Sequence, residues 1–216
     1  LAIWYCQVGG IIVKASLLSL KHPEYLHIRT DETVYYGADQ EWFPQSWQRR
    51  AGCGPTTASH LVLYNLGKRQ GVSAVTDQRQ MVILMQQLWN HVTPTLMGVH
   101  LVSQFTKGLI SALPEQRIDG KVVSLSLPKA REERPPFSMV LEFIQESLLL
   151  DQPVAFLNLH HGEVLNLDSW HWVTIVALDA ESGRIRVYDG GKKWDIDLHL
   201  WYRTTPRAGG FVAIRR

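Results

Sequence analysis

The chain predicts an α+β fold, and three observations carry that prediction. Apolar residues recur at helical spacing through 55–66, 76–90 and 137–150. The last third switches to alternating β-branched and aromatic stretches separated by turn-forming residues, as antiparallel strands require. At 216 residues and 45% hydrophobic content, the chain is long and apolar enough for one substantial core. Helical segments followed by an antiparallel sheet point to an α+β architecture in one domain spanning 1–216.

The elements follow in order. The opening LAIWYCQVGGIIVKASLLSLK is apolar without a basic lead or a clear cleavage site, and reads as a strand plus connector. Within it, IIVKASLLSL fits a strand or a short helix. RTDETVYYGADQEWF (29–43) reads as an irregular, aromatic-rich approach segment. PTTASHLVLYNLGK then becomes periodic, predicting a helix over 55–66 with Pro55 in its first turn and Gly67 as its stop. TDQRQMVILMQQLWN (76–90) predicts a second helix capped by Thr76 or Asp77, and the helical style continues through HVTPTLMGVHLVSQFTKGLISAL, broken at Pro94. KVVSLSLP is a strand, KAREERPP a charged connector, FSMVLEFIQESLLL (137–150) a helix and PVAFLNL (153–159) a short buried strand. WHWVTIVALD (170–179) and RIRVYDG (184–190) form a hairpin around a loop at 180–183, and GKKWDIDLHLWYRT and GGFVAIRR add strand-like pieces.

Composition narrows function. Lys plus Arg total 22 against 20 Asp plus Glu, a formal charge of +2 with the basic residues scattered, which argues against a nucleic-acid partner. No run of 18 apolar residues is present, so no membrane span is expected. Two cysteines, Cys6 and Cys53, allow one disulfide at most, read as free thiols in a reducing compartment and are too few for a zinc knuckle; the lack of an evident export signal favours a cytoplasmic location, with an exported form as the alternative. Oligomeric state is not encoded in any readable pattern. Gly9-Gly10 has no phosphate-loop context.

The stretch AGCGPTT at 51–57 is the informative one. Flanking glycines strip bulk from around the Cys53 sulfur or let the chain bend there. Pro55 places Cys53 at or just before a helix N-terminus, where unpaired N–H groups and the dipole favour a thiolate and can hold an oxyanion. A cysteine nucleophile needs a base. His60, seven residues along the same helix, is about 10 Å away at 1.5 Å per residue, too far for proton transfer. His171 opens the first strand of the hairpin between Trp170 and Trp172, and the hairpin brings it beside Asp189 at the end of the second strand. Asp189 is positioned to orient the imidazole, with Asp195, Asp197 and Asn158 as weaker candidates.

These residues resemble a known group. CGPT heading a helix, an HWV strand far downstream and a following strand that ends in Asp-Gly are similar to the C39-like (bacteriocin-processing-type) branch of papain-like cysteine peptidases, a bacterial group, over residues 35–200. The resemblance implies a papain-like fold, Cys53 as nucleophile, His171 as base, Asp189 as its orienter and a glutamine upstream of the cysteine in the oxyanion hole. The family's glutamine stands about six residues before the cysteine. Here Gln48 is five before and Gln40 thirteen before, so both are carried as donors, Gln48 on proximity and Gln40 because 36–43 can loop back. Asp189 is followed by Gly190 where the family usually has proline, the mark of a divergent branch.

The expected activity is cleavage of a peptide or small amide by thiolate attack and an acyl-enzyme, with no metal or organic cofactor needed. The alternatives are amide transfer of the phytochelatin-synthase-like kind, or a non-catalytic papain-like binding module. His160-His161 reads as loop rather than a metal pair, because neighbouring strand residues face opposite ways. Trp42, Trp47, Trp170 and Trp172 are candidates to wall a substrate groove, with core packing as the competing role.

Overall fold

The computed structural model describes residues 6–8, 11–13, 17–30, 33–75 and 77–215. The molecule is a mixed α/β structure built on an antiparallel sheet. Short strands β1 (Cys6–Val8) and β2 (Ile11–Val13) pair with each other. β3 (Leu17–Ser19) joins the main sheet, and β4 (His27–Arg29) pairs with β5 (Val34–Tyr36). Then come α1 (Ser46–Ala51), α2 (Cys53–Gln70), α3 (Gln78–His91) and α4 (Val102–Ala112). The remainder is β6 (Lys121–Leu127), α5 (Phe137–Leu149), β7 (Val154–Asn158), β8 (His171–Asp179), β9 (Arg184–Asp189), β10 (Lys192–Asp197), α6 (Leu198–Thr204) and β11 (Gly209–Arg215).

The main sheet runs β10-β9-β8-β7-β11-β6, every pair antiparallel. β3 continues the β7 side of β8 by pairing with Ala177–Asp179. Strands β7, β8 and β11 are buried almost throughout, as expected of strands covered on both faces. Helix α2 lies against β7 and β8 on one side and α3 on another, and is buried continuously from Gly54 to Asn65. A helix enclosed on all sides has to satisfy its own polar groups. Ser59 Oγ donates to the Thr56 carbonyl, and Asn65 donates to Leu61 O and Gln152 Oε1, both at 2.9 Å.

The chain departs from the sequence expectations at four places. The helix expected over 55–66 begins at Cys53 and runs to Gln70, its stop being Gly71 in the left-handed conformation at φ 72° rather than Gly67. Gly67 is a contact residue instead: a Cβ there would lie 2.8 Å from the Tyr25 ring, so the glycine lets Tyr25 pack on the helix. Residues 92–101 are not helical: α3 ends at His91, before Pro94, and a turn follows in which Thr95 and Gly98 exchange backbone hydrogen bonds. Within 29–43, β5 is a paired strand. Finally, 198–204 is helical, because Asp197 accepts the Leu200 N–H at 2.8 Å and caps the turn, where alternation had read as strand.

The second helix is capped by Asp77 through the Gln80 N–H; Thr76, its rival, lies outside the described residues. No helix among the described residues is long and apolar enough to cross a membrane.

Candidate functional site

Cys53 is the first residue of α2, directly after a junction at Gly52 where α1 ends. Both flanking glycines are explained by close packing. A Cβ at Gly52 would strike the Gln48 carbonyl and come within 2.8 Å of the Phe43 ring. One at Gly54 would lie 2.8 Å from Val99 Cγ2. Glycine therefore seats the head of α2 between Phe43 and the turn at 95–99, and leaves the partly exposed Cys53 sulfur at the surface of the seam. In an unbroken helix the Arg49 carbonyl would take the Cys53 N–H. Here it accepts the Gln40 side-chain amide at 2.9 Å.

His171 is the first residue of β8, and its Nε2–H donates to Asp189 Oδ1 at 2.7 Å. The imidazole and the Cys53 side chain line the same small cleft, and Cys53 is among the groups that raise the His171 pKa. With Nε2 taken by the carboxylate, Nδ1 is the nitrogen left for the cleft. Asp189 is held in place by the turn that follows it. Gly190 and Gly191 form a two-residue connection to β10, both at positive φ (54° and 69°), the type I′ geometry that glycine adopts without strain. The Gly191 carbonyl accepts the Tyr36 N–H at 2.8 Å, so the turn is docked on β5. Burial works against a charged His171, but the bond to Asp189 and the nearby Asp189 and Cys53 charges outweigh it and push its pKa up to about 10. His171 is thus an imidazolium at neutral pH, only 14% exposed at its side chain.

A small cleft surrounds these groups, lined by Cys53, His171 and Asp189 together with Ala38, Gln40, Thr56 and others. Two buried polar atoms of that lining, Gln40 Oε1 and Thr56 Oγ1, have no partner within the protein. Buried polar atoms are nearly always bonded, so an unpartnered pair beside a thiol marks a place where solvent or ligand is expected. Of the two glutamines expected near the cysteine, Gln40 lies in the cleft, while Gln48 is buried in α1 and does not line it.

The competing orienters are engaged elsewhere. Asn158 binds Asp168 O, the His160 N–H and the Trp201 indole. Asp195 pairs with Arg186, and Asp197 caps α6. His160 and His161 stack on each other, and among the described residues no group of three or more His, Cys, Asp or Glu is arranged to hold a metal. The tryptophans divide. Trp172 is buried against Phe105 and donates to Val99 O, and Trp42 packs edge-on to Tyr35. Trp47 and Trp170 line a groove that includes Cys53. The Cys6 side chain lies outside the described residues.

His60 is the residue whose role sequence reasoning missed. It is fully buried and accepts the Ala38 N–H on Nε2 at 2.7 Å, while Nδ1–H donates to Thr174 Oγ1 at 2.8 Å. Burial drives its pKa down to about 4, the nearby Asp189 charge only partly opposing it. A neutral His60 therefore ties α2, β8 and the 37–40 segment together, and that segment carries Gln40. The signal was Gly37: at φ 77°, and with any Cβ 2.7 Å from the His60 ring, it is a glycine demanded by the bridge. No family model matches the chain, and no curated protein is significantly similar to it in sequence.

Proposed function

We propose that the chain is a thiol hydrolase of the papain-like, C39-like kind, a cysteine peptidase or amidohydrolase. The observation that carries this reading is the Asp189–His171 pair, a carboxylate bonded to one ring nitrogen, lining one small cleft together with the Cys53 thiol. An imidazolium beside a thiol at a helix head favours the thiolate, the attacking form. In the proposed reaction Cys53 Sγ adds to an amide carbonyl. The oxyanion forms against the Cys53 N–H and the Gln40 amide, whose second N–H is free because only one is needed by Arg49 O. His171 gives its Nδ1 proton to the leaving amine as the C–N bond breaks. It then takes a proton from water, whose oxygen attacks the thioester and releases the acid and the thiolate. Asp189 holds the ring through both steps.

Support also comes from what the cleft excludes: the other candidate orienters are occupied, and the one histidine near Cys53 besides His171 is neutral and doubly bonded. The test is alkylation by iodoacetamide at pH 6.5, with the modified residue identified by mass spectrometry. Cys53 is expected to react at least about tenfold faster than free glutathione, as a nucleophile seated at a helix head beside an imidazole should. Hydrolysis of a fluorogenic peptide pool should be lost in Cys53→Ala and fall about a hundredfold in Gln40→Ala. Alkylation of Cys53 slower than that of glutathione removes the proposal.

A further inference from the structure

A second groove, lined by Cys53 but not by His171 or Asp189, is not used by the chemistry above. It measures about 160 Å³ and is walled by Trp47, Arg50, Leu96, Met97, Val99 and Trp170. Three features set it apart from ordinary surface. Its apolar side chains are exposed where burial would be expected: Leu96 is 95% exposed at the tip of the 95–98 turn, and Met97 53%. Trp170 sits at φ 62°, a left-handed backbone that a bulky residue adopts only under constraint. Its indole is nonetheless locked, with Nε1–H donating to Met97 O at 2.9 Å, His100 stacked on one ring and the Arg207 guanidinium 5.7 Å from its centroid. Strain held this firmly one residue before His171 gives a rigid wall, and rigid walls bind without an ordering penalty.

Charge supplies the second half of the recognition. No carboxylate lines the groove. Arg50 lies within it, over the Trp47 ring at 5.9 Å, and Arg207 flanks Trp170. Among the described residues neither arginine forms a salt bridge. One guanidinium within an apolar groove, and a second beside the Trp170 ring that walls it, are complementary to a bulky apolar side chain with a carboxylate next to it.

We propose that this groove is the substrate subsite beside the thiol, and that it selects extended peptides carrying a bulky apolar residue adjacent to an acidic one. The proposal rests on the hydrolase reading for its purpose but not for its test. Binding is measured by calorimetry on the Cys53→Ala protein, so turnover plays no part. Three blocked peptides serve as probes: acetyl-Glu-Phe-Ala-Ala-amide, its Lys-for-Glu counterpart and its Ala-for-Phe counterpart. The first is expected to bind at least about tenfold more tightly than either of the others. Arg50→Glu, a surface change that leaves the core alone, should reverse the order of the Glu and Lys peptides, and Leu96→Ser should erase the advantage of Phe over Ala. Equal affinity of the three peptides, or binding of none, overturns the subsite whatever the thiol does. Fast iodoacetamide labelling of wild-type Cys53 with equal peptide affinities leaves the hydrolase reading standing and the subsite refuted; slow labelling with selective binding does the reverse.

Discussion

Two histidines flank the same cleft and are held in opposite charge states. His171 reaches the Cys53 thiol from β8, and Asp189 with Cys53 raises its pKa to about 10 against the effect of burial. His60, on α2 itself, is more completely enclosed, meets only a backbone N–H and a threonine hydroxyl, and falls to about 4. Burial pushes both downward; the carboxylate in direct contact with one ring decides the difference. The protein thereby gets a proton donor and a rigid neutral strut from the same side chain. The two also respond to pH in opposite senses. The stability gained through His171 is present below the ordinary histidine value and is lost as pH rises toward about 10. That gained through a neutral His60 is present above the ordinary value and is lost as pH falls toward about 4.

The contrast is broken most severely by removing the charged member. His171→Ala should lower Cys53 alkylation and peptide turnover at pH 7 by about 10²–10⁴-fold, the usual share of a general acid–base. Its unfolding midpoint in urea at pH 7 should fall as well, because the stability gained through the charged ring is lost with it, but the loss of alkylation in the still-folded protein is the diagnostic. A large fall in stability without a fall in alkylation would reverse the roles assigned here.

Removing the neutral member should do the opposite. His60→Ala opens a cavity and leaves the buried Ala38 N–H and Thr174 hydroxyl unpaired, a combination expected to cost about 3–5 kcal/mol in urea unfolding at pH 7. A pH series sharpens this. A drop from the ordinary histidine value near 6.5 to about 4 corresponds to about 3 kcal/mol of stability. Wild-type stability should therefore decline by about that amount between pH 7 and pH 4 relative to His60→Gln, which cannot bind the proton. Parallel pH curves for the two proteins would show that His60 is not held neutral.

What was legible in the sequence follows the same division. Cys53, His171 and Asp189 are marked by local features: glycines around the thiol, a strand that opens at the histidine, a Gly-Gly turn after the aspartate. Each is written within a few residues of the group it places, and the hairpin register does the rest. The glutamine of the cleft was legible only as one of two candidates. Gln48 is nearer in sequence but is buried in α1 and does not line the cleft, whereas Gln40 reaches it because a bond between residues 22 positions apart, Ala38 to His60, folds its segment back. The mistaken ends of α2 and the missed α6 have related causes. Gly67 serves tertiary contact with Tyr25, and tertiary context overrode the stop signal. Leu198–Thr204 alternates like a strand but starts on a capping aspartate.

The mildest change separates charge from shape in the Asp189–His171 pair. Asp189→Asn keeps an acceptor for the His171 Nε2–H but removes the negative charge. With burial then less opposed, the imidazolium should deprotonate earlier on the alkaline side. The alkaline limb of the pH profile for Cys53 alkylation should move to lower pH by about one pH unit or more, while the rate near pH 6 changes by less than about tenfold. The 24% exposure of the Asp189 side chain sets the size of this effect, since solvent already screens part of the charge. Asp189→Ala would lose the acceptor too, and should fall further at every pH because the ring is then free to turn away from the thiol. If Asn and Ala behave alike, orientation contributes nothing and charge alone sustains the pair; if Asn matches the wild type across the whole range, Asp189 serves only to hold the ring in place, as a neutral amide would.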